Sequence, residues 1–451
     1  MATTNRIDAG QARIGYLFDG DPRTPPIAAQ LRRDSDGIFI DVPWMDNEPS
    51  HVQSRWFGDV EYGDDPEKAL FRYEPPSGID FHDQHGNVVL IGCRDYRSNR
   101  RFPVGVGTGT LVADYALLDA TGGQRYSRIN GLRSEVEGLG AWIGLRSLNA
   151  ERTFSADQRL ATATLQLRSP DPITISSRLN LTIRPAYRYG PGQHPDETTI
   201  TERMLVETRV SKPRDWLDHL SPHEAIRDLV RVAAWSDFSF QTHEATRDDD
   251  PIRTLDGKGH GSQWYKVETS RTGISSPRAV GGNPAFLFTF DDIGPQGVRR
   301  WLRINSQMSR AISPIVRLLD LREATAVTHV AQLGIGLEAL GFVLAREAGL
   351  NKKKAGDERF DERIERLADN CIGPFPIDKA NWLASMPRLY NGVKHANRAM
   401  PTQLELADGY WQSLLVFRWW LAGRLGARKS AIRNRVEADP MTVRARAAEE
   451  R

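Results

Sequence analysis

Cysteine is almost absent from this chain. Cys93 and Cys371 are the only two in 451 residues. That excludes a disulfide framework and a cysteine-built zinc site, and makes a reducing cytoplasm the expected compartment. Long apolar runs are scarce too. The opening stretch, MATTNRIDAGQARIG, holds no apolar core of a signal peptide. The longest apolar segment, Val330 to Ala345, is interrupted by Gln332 and Glu338 and falls short of a bilayer span, so no membrane association is expected. No phosphate-binding glycine loop is complete: Val104–Thr110 has neither the G-x-G-x-x-G spacing nor a following helix, and reads as a β-bulge or tight hairpin. His82 and His85 find no nearby Cys or His to finish a metal site and read as a polar turn, while Asp248–Asp250 reads as a solvated loop. Neither a metal nor a cofactor is expected.

Net charge is also small, +2, but it is unevenly spread. From Gly294 onward there are 26 Lys and Arg against 17 Asp and Glu, leaving +9 there and −7 before it. Any polyanion contact therefore belongs to the C-terminal part. Part of that charge lies in a tail with Arg428, Lys429, Arg433, Arg435, Arg444 and Arg446. The tail reads as a frayed or loosely helical extension, either merely solvated or touching nucleic acid. What the chain does have is aromatic residues, 11 Trp, 11 Tyr and 16 Phe, and a length sufficient for two to four domains.

Up to about residue 213 the pattern is that of strands. Alternation of period two runs through Thr162–Arg168 and Arg178–Arg184, with β-branched runs at Ile38–Val42, Val88–Ile91 and Met204–Val210 and turn residues between. One short helix is expected at Arg133–Ile143. Ser221-Pro222-His223-Glu224 reads as a capping box that starts a helix ending near Trp235. Strands are expected again at Phe238–Thr242, Trp264–Thr269 and Ala285–Phe290. From Gly294 the apolar period becomes helical. It predicts helices over Gly297–Leu319 (broken at Pro314), Ala326–Ala348, Arg359–Asn370, Asp378–Arg398 and Leu404–Leu425, with Asn351–Gly356 as a loop. The expected fold class is α+β: a β-rich, sandwich or barrel-like domain over residues 1–213, a helix-plus-strands extension over 214–293, an all-α bundle over 294–428 and a basic tail over 429–451.

One predicted helix carries chemistry. Placed at about 100° per residue, Arg388, Asn391, His395 and Arg398 fall on one line, while Leu389, Val393 and Ala396 take another face. A polar stripe with two guanidiniums, an amide and an imidazole suits proton transfer at a phosphate. No carboxylate cluster accompanies it. The chemistry that needs only His and Arg at a phosphate is RNA cleavage by the substrate's own 2′-hydroxyl. Lys394 and Arg398, with Lys352 and Lys353 in the basic loop, are candidate RNA contacts. Glu338 either orients Arg388 or His395 or is a bundle-end carboxylate. The plain alternative for the stripe is a solvated helix face.

Arg388 and His395, with six residues between them, fit the R-x4–6-H pattern of the HEPN superfamily, and the preceding helix carries Gly336-Leu-Glu-Ala-Leu-Gly341. His85-Gly-Asn-Val-Val-Leu90, Val106-Gly-Thr-Gly-Thr110 and Ser134-Glu-Val-Glu-Gly-Leu139 with Trp142 add N-terminal features in the same order. Taken together, the chain resembles the ApeA-like anti-phage defence proteins, which join a β-rich N-terminal domain to a C-terminal HEPN domain. The resemblance implies an abortive-infection endoribonuclease that needs no metal, with Arg388, Asn391 and His395 as its catalytic residues. It also implies a homodimer through the HEPN bundle, and a β-rich domain that senses a phage-derived trigger. The sequence departs from the commonest HEPN form at one slot, where Tyr390 stands for arginine directly before Asn391. That departure keeps open the alternative of a non-catalytic HEPN module binding RNA or protein, with a β-rich recognition domain.

Overall fold

Alternation builds the first strands. Ala12–Phe18 buries every second residue, as a half-buried strand must. The computed structural model describes residues 5–22, 25–45, 57, 75–101, 105–192, 196–270, 284–321 and 323–447. Its strands are β1 (Ala12–Phe18), β2 (Ile27–Arg33), β3 (Ile38–Met45), β4 (Gly78–Asp83), β5 (Gly86–Ile91), β6 (Arg94–Arg101), β7 (Val106–Ala113), β8 (Tyr115–Leu118), β9 (Arg128–Val136), β10 (Leu148–Phe154), β11 (Leu160–Leu167), β12 (Ile173–Ser176), β13 (Leu181–Pro191), β14 (Thr198–Asp215), β15 (Phe240–Thr246), β16 (Pro251–Arg253), β17 (Gly259–Ser262) and β18 (Tyr265–Thr269). Its α-helices are α1 (Leu139–Ile143), α2 (Trp216–Ala234), α3 (Phe290–Gln307), α4 (Ser309–Val316), α5 (Ala326–Glu347), α6 (Lys352–Asp357), α7 (Phe360–Asp369), α8 (Lys379–Lys394), α9 (Gln403–Leu425), α10 (Lys429–Val436) and α11 (Pro440–Ala447). A β-rich N-terminal part followed by a helical C-terminal part makes the class α+β.

The chain forms two compact units, neither of them one stretch of sequence: residues 1–135, 207–221 and 239–277, and residues 136–206, 222–238 and 278–451. In the first, strands run in the order β9-β15-β18-β8-β5-β4-β1-β2-β3-β7-β6. The pairs β1–β2, β2–β3, β3–β7 and β4–β5 are all antiparallel. Leu17, Leu31, Ile40, Trp44, Phe81, Leu90 and Leu111 belong to one core. Val89, Ile91 and Leu117, on the other face of β5 and β8, join Trp216 and Leu220 of α2 in a second. The strands β5 and β8 are thus buried on both faces, which is why they read as continuous apolar runs rather than alternating ones. The glycines of Val106–Thr110 have a packing reason. A Cβ at Gly107 would stand 2.4 Å from the Trp44 ring and one at Gly109 2.3 Å from Phe57, and these two rings stack at 5.2 Å.

In the second unit the helices pack around α5 and α9. Val330, Leu333, Leu337 and Leu340 of α5 and Leu414, Leu415, Phe417 and Trp420 of α9 are fully buried. Helix α5, at 22 residues, is long and apolar enough by length and composition to cross a membrane, but this face is spent on the bundle.

Several boundaries differ from the sequence reading. Arg133–Val136 continues β9, and only Leu139–Ile143 is helical. Helix α2 begins at Trp216, not at the Ser221 box, and holds Pro222 inside it; Trp216 is anchored by stacking on Tyr115 at 4.3 Å and by donating Nε1–H to the Tyr126 carbonyl. Ala285–Phe290 is not a strand. It leads into α3, whose capping box is Thr289 and Asp292. The break after α3 falls at Met308, not Pro314. Most of the expected loop Asn351–Gly356 is instead the helix α6, Lys352–Asp357, which Asn351 caps by accepting from the Lys354 amide. Asp250, expected in solvent, accepts from the hydroxyls of Tyr126 and Tyr265.

The largest difference is the tail. It folds as α10 and α11 and buries Ile432, Val436, Met441 and Ala445. Asp439, fully buried, pairs with the fully buried Arg418 at 2.8 Å, and Arg418 also donates to the Val232 and Ala233 carbonyls. Arg435 reaches Asp292 at 3.2 Å. A tail read from its charge alone conceals these few apolar anchors and a single buried acid.

Candidate functional site

Helix α8 begins at the Asp378 cap, which accepts from the Asn381 amide, and buries Trp382, Met386, Leu389 and Tyr390. It ends at Lys394, four residues short of the predicted end. His395 is its C-cap, with extended backbone (φ −121, ψ 113). The cause is Gly392: the chain turns back across it, so that a Cβ there would meet Pro401 at 2.7 Å and the Ala399 carbonyl oxygen at 2.8 Å. The helical line therefore holds for Arg388 and Asn391 but not for His395 and Arg398. These two lie in the turn that follows, closed by the Arg398 amide donating to the His395 carbonyl.

Arg388, Lys394, His395 and Arg398 are nonetheless all exposed, and Asn391 is half-buried. Arg388 donates to Glu405 at 2.8 Å. Glu405 is also the third residue of α9 and accepts from the backbone and side chain of its cap, Thr402. Those bonds, with Arg388 third, hold its carboxyl down at about 2. Lys352 and Lys353 are exposed on α6.

Glu338 sits at the centre of a hydrogen-bonded group on α5. It accepts from the Tyr390 hydroxyl at 3.0 Å, from Lys394 Nζ at 3.2 Å and from Arg363 at 3.2 Å. Arg363 in turn donates to the carbonyls of Ala355 and Gly356 at the end of α6. The sequence signal for this arrangement is the glycine pair around Glu338. Gly334 and Gly341 lie four residues before and three after it, on one face of α5. A Cβ at Gly334 would stand 2.1 Å from the Tyr390 ring, and one at Gly341 2.3 Å from Arg363 Cβ. Two notches thus seat Tyr390 and Arg363 on either side of the carboxylate that binds both. Tyr390 is buried, at 3% exposure, and packs on Phe360 at 4.6 Å. Burial first, and Glu338 second, raise its hydroxyl well above the ordinary tyrosine range. It is a core residue, whereas Lys394 carries the charge of this network to the surface beside His395.

His329, the other histidine near this bundle, stacks on Tyr410 at 5.0 Å and hydrogen-bonds the Leu321 carbonyl. Among the described residues, no three or more His, Cys, Asp or Glu gather as a metal-binding group.

The family model described as ApeA N-terminal domain 1 matches residues 59–302. All three N-terminal features noted in the sequence fall inside this match, which stops short of Arg388. No curated protein and no solved structure matches the chain.

Proposed function

Because the chain belongs to the ApeA N-terminal domain 1 family, a membership that points to anti-phage defence, we propose that it is an abortive-infection protein whose C-terminal helices form a HEPN-type endoribonuclease. The observation that carries the reading is the exposed group at the end of α8, Arg388, Lys394, His395 and Arg398, on a scaffold that buries its neighbours Leu389 and Tyr390. In this mechanism a ribose 2′-oxygen attacks the adjacent phosphorus and its proton passes to a base. The bond to the 5′-oxygen breaks, and that oxygen takes a proton from an acid, leaving a 2′,3′-cyclic phosphate and a 5′-hydroxyl. His395 serves as base or acid. Arg388, Lys394 and Arg398 offset the charge that builds on the phosphoryl oxygens, and Asn391 orients the group. One imidazole cannot fill both roles at once, so a second copy supplying its own His395 suits the chemistry. No metal takes part, and the protein acts in the cytoplasm.

The test is RNA cleavage in EDTA with end-group analysis, together with phage protection. The intact chain is expected to leave cyclic phosphate ends, and His395→Ala to lower cleavage by about 100-fold or more, the range of general acid–base catalysis, while remaining folded. Protection that survives His395→Ala would instead favour a non-catalytic module binding RNA or protein, a reading supported by Tyr390 lying buried where HEPN proteins most often carry arginine.

A further inference from the structure

Helix α8 stops at Lys394, so no helical line holds Arg388 and His395 to one another. Beyond it the chain runs as a turn through Arg398 and Pro401 to Thr402, the N-cap of α9. A side-chain bond spans that turn. Arg388 Nη2 donates to Glu405 Oε1 at 2.8 Å. The other oxygen of the same carboxylate, Oε2, accepts from the Thr402 amide and the Thr402 hydroxyl, each at 2.8 Å. The carboxylate is thus fixed on one side by its own helix and on the other by the guanidinium. It stands in the first turn of α9, where a helix end favours negative charge.

The contact uses one arm of Arg388. Of the five N–H donors on a guanidinium, the described residues engage one. A single bond at Nη2 leaves one two-donor edge whole, and the side chain is 57% exposed. Such an edge is what grips a phosphate in two-pronged fashion. We propose that Glu405 is a positioning residue for Arg388, holding one arm of the guanidinium so that its free edge takes a phosphate of the RNA backbone. This rests on the nuclease reading and adds a residue to it.

The pair matters for rate more than for folding. Exposed ion pairs contribute little to stability, whereas displacing a group at the reacting centre by about 1 Å can lower the rate about 100-fold. The same carboxylate is also a fixed negative charge beside the bound phosphate. It weakens binding of the ground state while it places the group that stabilises the transition state. Loss of Glu405 therefore moves both constants downward. The rate falls because the guanidinium is no longer held, and KM falls because the repulsion is gone while Arg388 keeps its charge.

The experiment is steady-state cleavage of an RNA oligonucleotide by the full chain in EDTA. Glu405→Ala is expected to lower kcat by about 10-fold, inside the range that misplacement produces, and to lower KM roughly 3-fold, the scale of one exposed charge pair. Glu405→Ala also weakens the start of α9, so a matched control is needed. Thr325→Ala removes the cap of α5, which accepts from the Thr328 amide, and is expected to lower the melting temperature with kcat and KM unchanged. An unchanged kcat in Glu405→Ala, a KM that does not fall, or an equal loss in Thr325→Ala each overturns the inference and leaves the nuclease reading standing, provided that His395→Ala still abolishes cleavage. An intact chain that cleaves no RNA overturns both.

Discussion

Glycine 334 shows how a single missing Cβ organises this bundle. Alanine there would improve helix propensity by up to about 1 kcal/mol, yet its methyl would meet the Tyr390 ring at 2.1 Å. Overpacking of a filled interior costs roughly 1–3 kcal/mol, so the steric term wins. Gly334→Ala is expected to lower the melting temperature, and Tyr390→Phe to cost only about 1 kcal/mol, the worth of one hydrogen bond, because Arg363 and Lys394 still satisfy Glu338. Thermal unfolding of the two variants checks the order; a Gly334→Ala protein as stable as the parent would show that the ring is free to move. At this scale the sequence was partly legible. The glycines around Glu338 were visible, but a spacing does not say which side chains enter the notches, and Tyr390 and Arg363 come from two other helices.

Elements begin and end where tertiary contacts decide, and local signals lose at several boundaries. Periodicity sufficed to find α5, α8 and α9, because a long apolar stripe at three/four spacing fits little besides the buried face of a helix. It could not find the end of α8, since the turn at Gly392 depends on Ala399 and Pro401 folding back over it. The capping box at Ser221 was overridden by the earlier anchor at Trp216. The same early stretch of α2 holds His219, fully buried. Its Nε2–H donates to the Ile129 carbonyl at 3.2 Å, and Nδ1 accepts the Thr208 hydroxyl at 2.8 Å, tying α2 to β9 and β14. Burial pushes the imidazole down to about 4, despite opposing help from the Ile129 carbonyl and Asp218. The folded chain therefore declines a proton that the unfolded chain accepts below about 6.5. The His219 contribution is complete above that pH and is lost as pH falls toward 4, by about 3 kcal/mol. Urea unfolding at pH 7 and pH 4.5 should show this extra acid sensitivity in the parent, and His219→Gln should remove most of it. An identical pH response in the two proteins would mean that His219 does not set it.

At the scale of the whole molecule, the arrangement of the second unit is the feature least visible in the sequence. Residues 294–428 have the period, loop lengths and charge of a self-contained bundle, and nothing local says otherwise. Yet the interior of that bundle is finished by distant segments. Trp301 donates to the Ala225 carbonyl, the side chain of Trp142 is buried and bonded to the Phe288 carbonyl at 3.0 Å, and Arg418 takes acceptors from Val232, Ala233 and Asp439. Removing the partners of a buried ion costs about 3–5 kcal/mol, a large share of the roughly 5–15 kcal/mol that holds a domain folded. Cutting the chain to 294–428 removes all three acceptors of Arg418 at once and uncovers the apolar surface that α10 and α11 bury. That fragment is expected to lack cooperative unfolding, while the full chain keeps it. Asp439→Asn in the full chain isolates one part of the effect. It withdraws the charge but leaves the amide oxygen to accept, so it should destabilise without abolishing the transition. If the fragment instead melts as sharply as the whole, the buried Arg418 tolerates solvent, and the bundle is an independent domain after all.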